Sequence, residues 1–274
     1  MNYKYKLSKL LLFCLLFMMG KAAYPQNPYR LSAGARQAGM AYGTVSTTGF
    51  WNSFHNQASL AYINNLSFGL NQDNRFGLAE LSNKTFGFIL PSGHGSLGVV
   101  YSYYGYSEYN RHTAGLAYGL KLGKMLSAGV QADLFSTRTA GDYRNTNELT
   151  FEVGVLFKPI KQLSIGLHTF NPLPNSIRNH DMPTVVTLGA GYLFSDIFLT
   201  SIDLEASSTG HNNIRFGMEY QAYKNFYVRG GLMSNPAGLS FGIGYSGNVF
   251  KGNIGFITHE NLGLTPSLSI VIQL

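Results

Sequence analysis

Cysteine, tryptophan and charge are all scarce in this sequence. The one cysteine, Cys14, sits inside an early apolar run, so no disulfide can form within the chain, and no lipid-anchor cysteine follows that run. Charged residues make up only 12 % of the 274 positions, with no basic stripe, which leaves nucleic acid without support as a partner. No zinc-ligand spacing, phosphate loop or nucleophile constellation occurs. The seven histidines (His55, His94, His112, His168, His180, His211 and His259) are scattered, and His180–Asp181 reads as a solvated loop pair. No catalytic residue, metal ligand or cofactor is expected, and the chain reads as a non-enzyme. There is no long amphipathic helix, and the glycines have no Gly-X-Y period, which excludes collagen.

The apparent basicity belongs mostly to the first residues. Lys4, Lys6 and Lys9 precede an apolar run, Leu10–Met19, and Gly20, Ala22 and Ala23 supply small residues after it. Residues 1–23 therefore read as a secretory signal. Without Lys4, Lys6, Lys9 and Lys21 the chain carries 16 basic residues against 13 acidic ones. An exported chain without bridges needs a large core or a membrane to hold it.

What is present is 32 glycines, 18 tyrosines and 19 phenylalanines, set in alternating runs. The alternation predicts fourteen strands, at about 61–70, 76–90, 95–106, 110–121, 125–136, 147–158, 161–170, 183–194, 197–207, 212–222, 225–233, 238–248, 251–259 and 264–274. The second carries a break near Ser82–Asn83–Lys84. Phe151, Val153, Val155 and Phe157 oppose Glu152, Gly154 and Leu156; Phe241, Ile243 and Tyr245 oppose Gly242, Gly244 and Ser246. Such a period suits both a soluble sandwich, apolar face inward, and a membrane barrel, apolar face outward.

Three features favour the barrel. Strands of about 10–12 residues are long enough to cross a membrane at a tilt. Their number is even, and short turns alternate with longer connections. The short set often carries lysine: Leu122–Lys124, Pro159–Lys161, Phe194–Asp196, Tyr223–Asn225 and Gly247–Asn248. The expected fold is all-β, a transmembrane antiparallel barrel over 61–274 in a Gram-negative outer membrane, with outer-membrane lipid as a partner. The Asn171–Pro183 loop, with Arg178 and His180, is expected on the external side.

Residues 24–60 break the pattern. From Asn27 to Leu60 the chain is rich in small residues and has no sustained period, apart from a helical turn expected within 31–40. It is expected to fold into the lumen as a hatch, with Arg30, Arg36, Trp51, Asn52, Asn56 and Gln57 as its functional members. Alternation points Gln131, Asp133, Glu152, His168, Asp203, Glu205, Glu219 and Arg229 into the lumen. Unpaired charge there is costly, so these groups should meet water or the hatch arginines.

Gly34–Ala41 and Asn56–Leu60, with the proline-led run Met182–Tyr192, make the sequence resemble the FadL-type outer-membrane barrels, and more narrowly the PorV/PorQ-like proteins associated with type IX secretion. Gln57 stands where that group has proline. The resemblance implies a fourteen-stranded barrel with an N-terminal hatch. With loops too short to build a capture pocket, the expected function is an accessory subunit of a protein secretion, surface-attachment or outer-membrane assembly complex, with other proteins of that complex as partners and no solute flux. The alternative is a FadL-like channel for small hydrophobic solutes.

Overall fold

A computed structural model describes residues 29, 32–141, 145–173 and 182–274. Fourteen strands follow one another: β1 Ser67–Asn74, β2 Ser82–Pro91, β3 Ser96–Gly105, β4 Tyr109–Lys121, β5 Leu126–Thr139, β6 Thr146–Phe157, β7 Leu163–Phe170, β8 Val185–Ser195, β9 Phe198–Ser207, β10 Asn212–Tyr223, β11 Phe226–Ser234, β12 Ala237–Ser246, β13 Phe250–His259 and β14 Gly263–Gln273. Each pairs antiparallel with its sequence neighbour. β1 also pairs with β14, from Ser67 opposite Gln273 to Asp73 opposite Ser267, so the sheet closes and no edge is left.

Closure gives every strand an inside and an outside, and here they reverse the globular rule. Leu116, Val130, Leu134, Leu188, Leu204, Ile243 and Leu268 are exposed on the outer wall. Ser67, Asn71, Thr85, Ser102, Gln131, Thr187, Ser201 and Ser269 are buried on the inner one. An apolar wall facing out and a polar wall facing in is the arrangement of an outer-membrane barrel, and it rules out the soluble sandwich. One rim holds the start of β1, the end of β14 and the tight turns. By the rule for such barrels it faces the periplasm and is called the inner rim below.

Two strand starts differ from the expectation. β1 begins at Ser67, because Gln57–Tyr62 is a 3₁₀ turn and Ile63 is still buried in the lumen. β2 begins at Ser82, because two short 3₁₀ turns, Arg75–Gly77 and Ala79–Leu81, occupy what alternation alone reads as strand. Phe76 at φ 56° and Gly77 at φ 73° turn the chain there. The helical turn expected within 31–40 is α1, Ala35–Gly39. Arg178 and His180 lie outside the described residues, as do residues 1–23.

Candidate functional site

The lumen is filled from the N-terminal side. After α1 the chain reverses at Ala41 and Tyr42, both at positive φ, where Ala41 N donates to Ala38 O (3.0 Å) and Tyr42 N to Gln37 O (2.8 Å). It then crosses the lumen to two 3₁₀ turns, Trp51–Phe54 and Gln57–Tyr62. Asn52 braces the segment internally. Its amide donates to Thr44 O (2.8 Å) and Thr47 Oγ1 (2.6 Å), and its oxygen accepts from Gln37 Nε2 and Arg36 Nη1 (3.1 Å for the latter). Asn56 caps the second turn, accepting from Ala58 N (3.2 Å), while its amide donates to Val45 O (2.8 Å) and to Val155 O of the wall (3.2 Å).

Polar ties fix this hatch to the wall. Arg36 grips Glu219 of β10 through Nε (2.7 Å) and Nη2 (2.8 Å), a two-point pair that is stronger than a single contact. Gln57 Nε2 donates to Glu152 of β6 (2.6 Å), whose carboxylate also meets His168 Nε2 (2.9 Å). Backbone amides do the rest: Gly34 N to Asn71 Oδ1 (2.9 Å), Ala35 N to Ser269 Oγ (3.1 Å) and Val45 N to Asp203 Oδ2 (2.9 Å). An irregular backbone inside a barrel has unpaired amides, and inward Asn, Ser and Asp residues satisfy them here.

Close approach depends on glycine. Gly119, Gly129 and Gly154 stand side by side across β4, β5 and β6. A Cβ on Gly119 or Gly129 would lie 2.4 Å from the Gln57 carbonyl oxygen, and one on Gly154 2.2 Å from Asn56 Oδ1. The glycine row is a shelf cut to receive residues 56–58.

Among the described residues, two apolar clusters divide the lumen along its axis. In the inner half, Phe50, Trp51, Phe54, Leu60 and Ile63 of the hatch pack on Ile89, Val100, Ala117 and Val271 of the wall. In the outer half, Phe135, Phe170 and Val185 face one another, with Tyr29 and Met182 against them. Phe135 meets Tyr29 edge to face at 5.5 Å and Phe170 at 6.2 Å. The Arg111 guanidinium sits 4.5 Å from the centre of the Tyr29 ring, and Tyr29 Oη donates to Glu148 Oε1 (3.5 Å).

The sequence-predicted residues fall as follows. Arg36, Trp51, Asn52, Asn56 and Gln57 are in the hatch inside the lumen; Arg30 lies outside the described residues. Glu152, Asp203 and Glu219 bond the hatch directly. Gln131 and Asp133 bond each other (2.7 Å), Glu205 pairs with Arg215 (2.7 Å at each oxygen), and Arg229 pairs with Glu219 (2.6 Å) and Asn253 (3.0 Å). The outer aromatic cluster is missing from that set. Its signal was available: Phe135 shares the inward parity of Gln131 and Asp133, and Phe170 that of His168.

The Glu219 pairings make a direct expectation. Arg36→Leu removes one guanidinium and leaves Glu219 paired with Arg229. Glu219→Leu leaves Arg36 and Arg229 without their shared carboxylate, which should cost about 3–5 kcal/mol. Unfolding of the purified barrel should therefore show a clearly lower midpoint for Glu219→Leu than for Arg36→Leu. Equal midpoints would show that the Arg229–Glu219 pair adds nothing once the Arg36 tie is lost.

Together these features define an outer-membrane barrel whose lumen carries an internal hatch, and the fold is FadL-like. Among solved structures the chain is similar to the CymD monoaromatic hydrocarbon channel (TM-score 0.70, 13 % identity, 90 % of this chain and 98 % of that one). It is similar also to the Ralstonia pickettii toluene transporter TbuX (TM-score 0.64, 12 % identity, 88 % and 97 %) and to a Pseudomonas aeruginosa FadL homologue (TM-score 0.61, 11 % identity, 89 % and 99 %). No family model and no curated protein sequence matches the chain. These likenesses correct the functional expectation of an accessory subunit with no flux, since CymD and TbuX are described as a hydrocarbon channel and a toluene transporter. The expectation rested on short loops, whereas strand residues Phe135, Phe170 and Val185 build an apolar cluster inside the outer half of the lumen.

Proposed function

We propose that the protein is a channel for small hydrophobic solutes, gated by its hatch. The observation that carries this reading is the Phe135–Phe170–Val185 cluster, set in the outer lumen above a plug held largely by polar ties. Tyr29 and Met182 cover these rings, so an apolar solute that takes their place leaves water for a ring-lined surface, which favours binding by about 25 cal/mol for each Å² covered. Edge-to-face partners favour a flat aromatic solute further. The neighbours described as carrying toluene and monoaromatic hydrocarbons support the same solute class. The narrower PorV/PorQ likeness rests on the hatch motifs Gly34–Ala41 and Asn56–Leu60, which in this reading serve the plug.

Uptake of a labelled monoaromatic hydrocarbon decides the matter, in cells whose outer membrane has no such channel of its own. Cells carrying this barrel should take it up several-fold faster than cells without it. Equal rates in the two would sink the proposal.

A further inference from the structure

The lysine-bearing tight turns are not used by a channel for neutral solutes. All lie on the inner rim, and four of their lysines converge on two neighbouring turns. Lys121 ends β4 and Lys124 lies in the β4–β5 turn, while Lys158 and Lys161 lie in the β6–β7 turn. The turns are tied to each other, since Lys158 N donates to Met125 O (2.7 Å). Lys158 Nζ lies 3.9 Å and Lys121 Nζ 5.0 Å from the centre of the Tyr62 ring, the last residue of the hatch's second 3₁₀ turn. Burial, and then the charge of Lys121, hold the Lys158 ammonium below its ordinary pKa.

Negative charge is nearly missing from this rim. Among the described residues, Asp196 is the one acid in its turns. It stands 3.6 Å from Lys161, with both side chains well exposed, so the pair contributes little. The same two turns and the strand ends beside them expose Leu122, Met125, Leu126, Phe157 and Ile160. Beside them, Tyr192, Phe194, Phe198 and Tyr220 make successive ring contacts at 4.8, 5.8 and 6.4 Å. Such a belt of rings marks the membrane–water interface. The lysines therefore stand at headgroup depth, with apolar side chains among them.

We propose that this double turn is a docking surface for anionic phospholipid of the inner leaflet, such as phosphatidylglycerol. Its phosphate lies against Lys124 and Lys161, with Lys121 and Lys158 adding positive charge from over the Tyr62 ring, and its acyl chains lie on Leu122, Met125 and Ile160. The inference is independent of the solute carried. Through Lys158 and Tyr62, the bound headgroup abuts the end of the hatch.

Native mass spectrometry of the full barrel in neutral detergent provides the test, with phosphatidylglycerol, phosphatidylcholine, lipid A and free glycerol phosphate as probes. Phosphatidylglycerol should bind at least tenfold more tightly than phosphatidylcholine. Lys124→Gln with Lys161→Gln, neither of which touches the hatch, should weaken it about fivefold per lysine. Lys224→Gln, on the same rim but in another turn, should change it little. Equal binding of the two phospholipids, or no effect of the double substitution, overturns the proposal. So does a preference for lipid A, which would place this rim outside, or free glycerol phosphate binding as tightly as the lipid.

Discussion

Gly129→Val should push the hatch off the wall and make the barrel leak. The added Cβ meets the carbonyl carbon and oxygen of Gln57, each at 2.4 Å, and Ala58 N at 2.8 Å. These are backbone atoms, so no side-chain rotation relieves the clash. Overpacking of this kind costs about 1–3 kcal/mol where the surroundings cannot yield, and here the movable partner is the hatch. Liposomes containing the variant should swell several-fold faster in a small sugar than those containing the parent protein. Gly123→Ala, in the β4–β5 turn with nothing within 4 Å of the new Cβ, is the control and should change nothing. An unchanged swelling rate for folded Gly129→Val would mean that residues 56–58 do not seal the lumen.

The second large effect is expected at the outer cluster. Phe135→Ser with Phe170→Ser removes two buried rings and puts two hydroxyls where the apolar solute should rest. The loss of ring burial and ring contact is about 2 kcal/mol for a bound aromatic solute, or roughly a thirtyfold weaker affinity. At low solute concentration, uptake should fall by a similar factor. Leu134→Ala, one residue away but on the exposed outer wall, should leave uptake near the parent value. If the double variant carries solute at the parent rate, the capture site lies elsewhere.

The wall was the part of the molecule most legible in the sequence. A period of two places each residue on a face, and long strands joined by tight turns restrict the sheets that can contain them. Alternation alone could not say which face met lipid. The closed register, with Leu116 and Leu188 outside and Gln131 and Ser201 inside, decides that. The hatch was visible as a stretch with no period. Its partners were not, because parity shows which way Glu219 or Gln131 points but not what it meets: Glu219 reaches Arg36, and Gln131 turns to Asp133 instead. The glycine shelf was hidden for a related reason. Gly119, Gly129 and Gly154 are far apart in sequence, and only strand register sets them in a row. The functional expectation weighed only the loops and passed over the outer cluster, although the inward parity of Phe135 and Phe170 could be read from their strands.

The central claim is that solute passes only when the hatch moves, and a reversible lock tests it most directly. A Cβ built on Gly191 of β8 lies 3.8 Å from Ser46 Cβ and 2.9 Å from Ser46 Oγ, which matches the separation of about 3.8 Å between the β-carbons of a disulfide. Cys14, in the early apolar run, is the only native cysteine. Ser46→Cys with Gly191→Cys should therefore cross-link hatch to wall. Uptake of the labelled hydrocarbon should fall to background when the pair is oxidised and recover on addition of a reductant. Equal uptake by the oxidised and the reduced barrel would contradict a moving hatch.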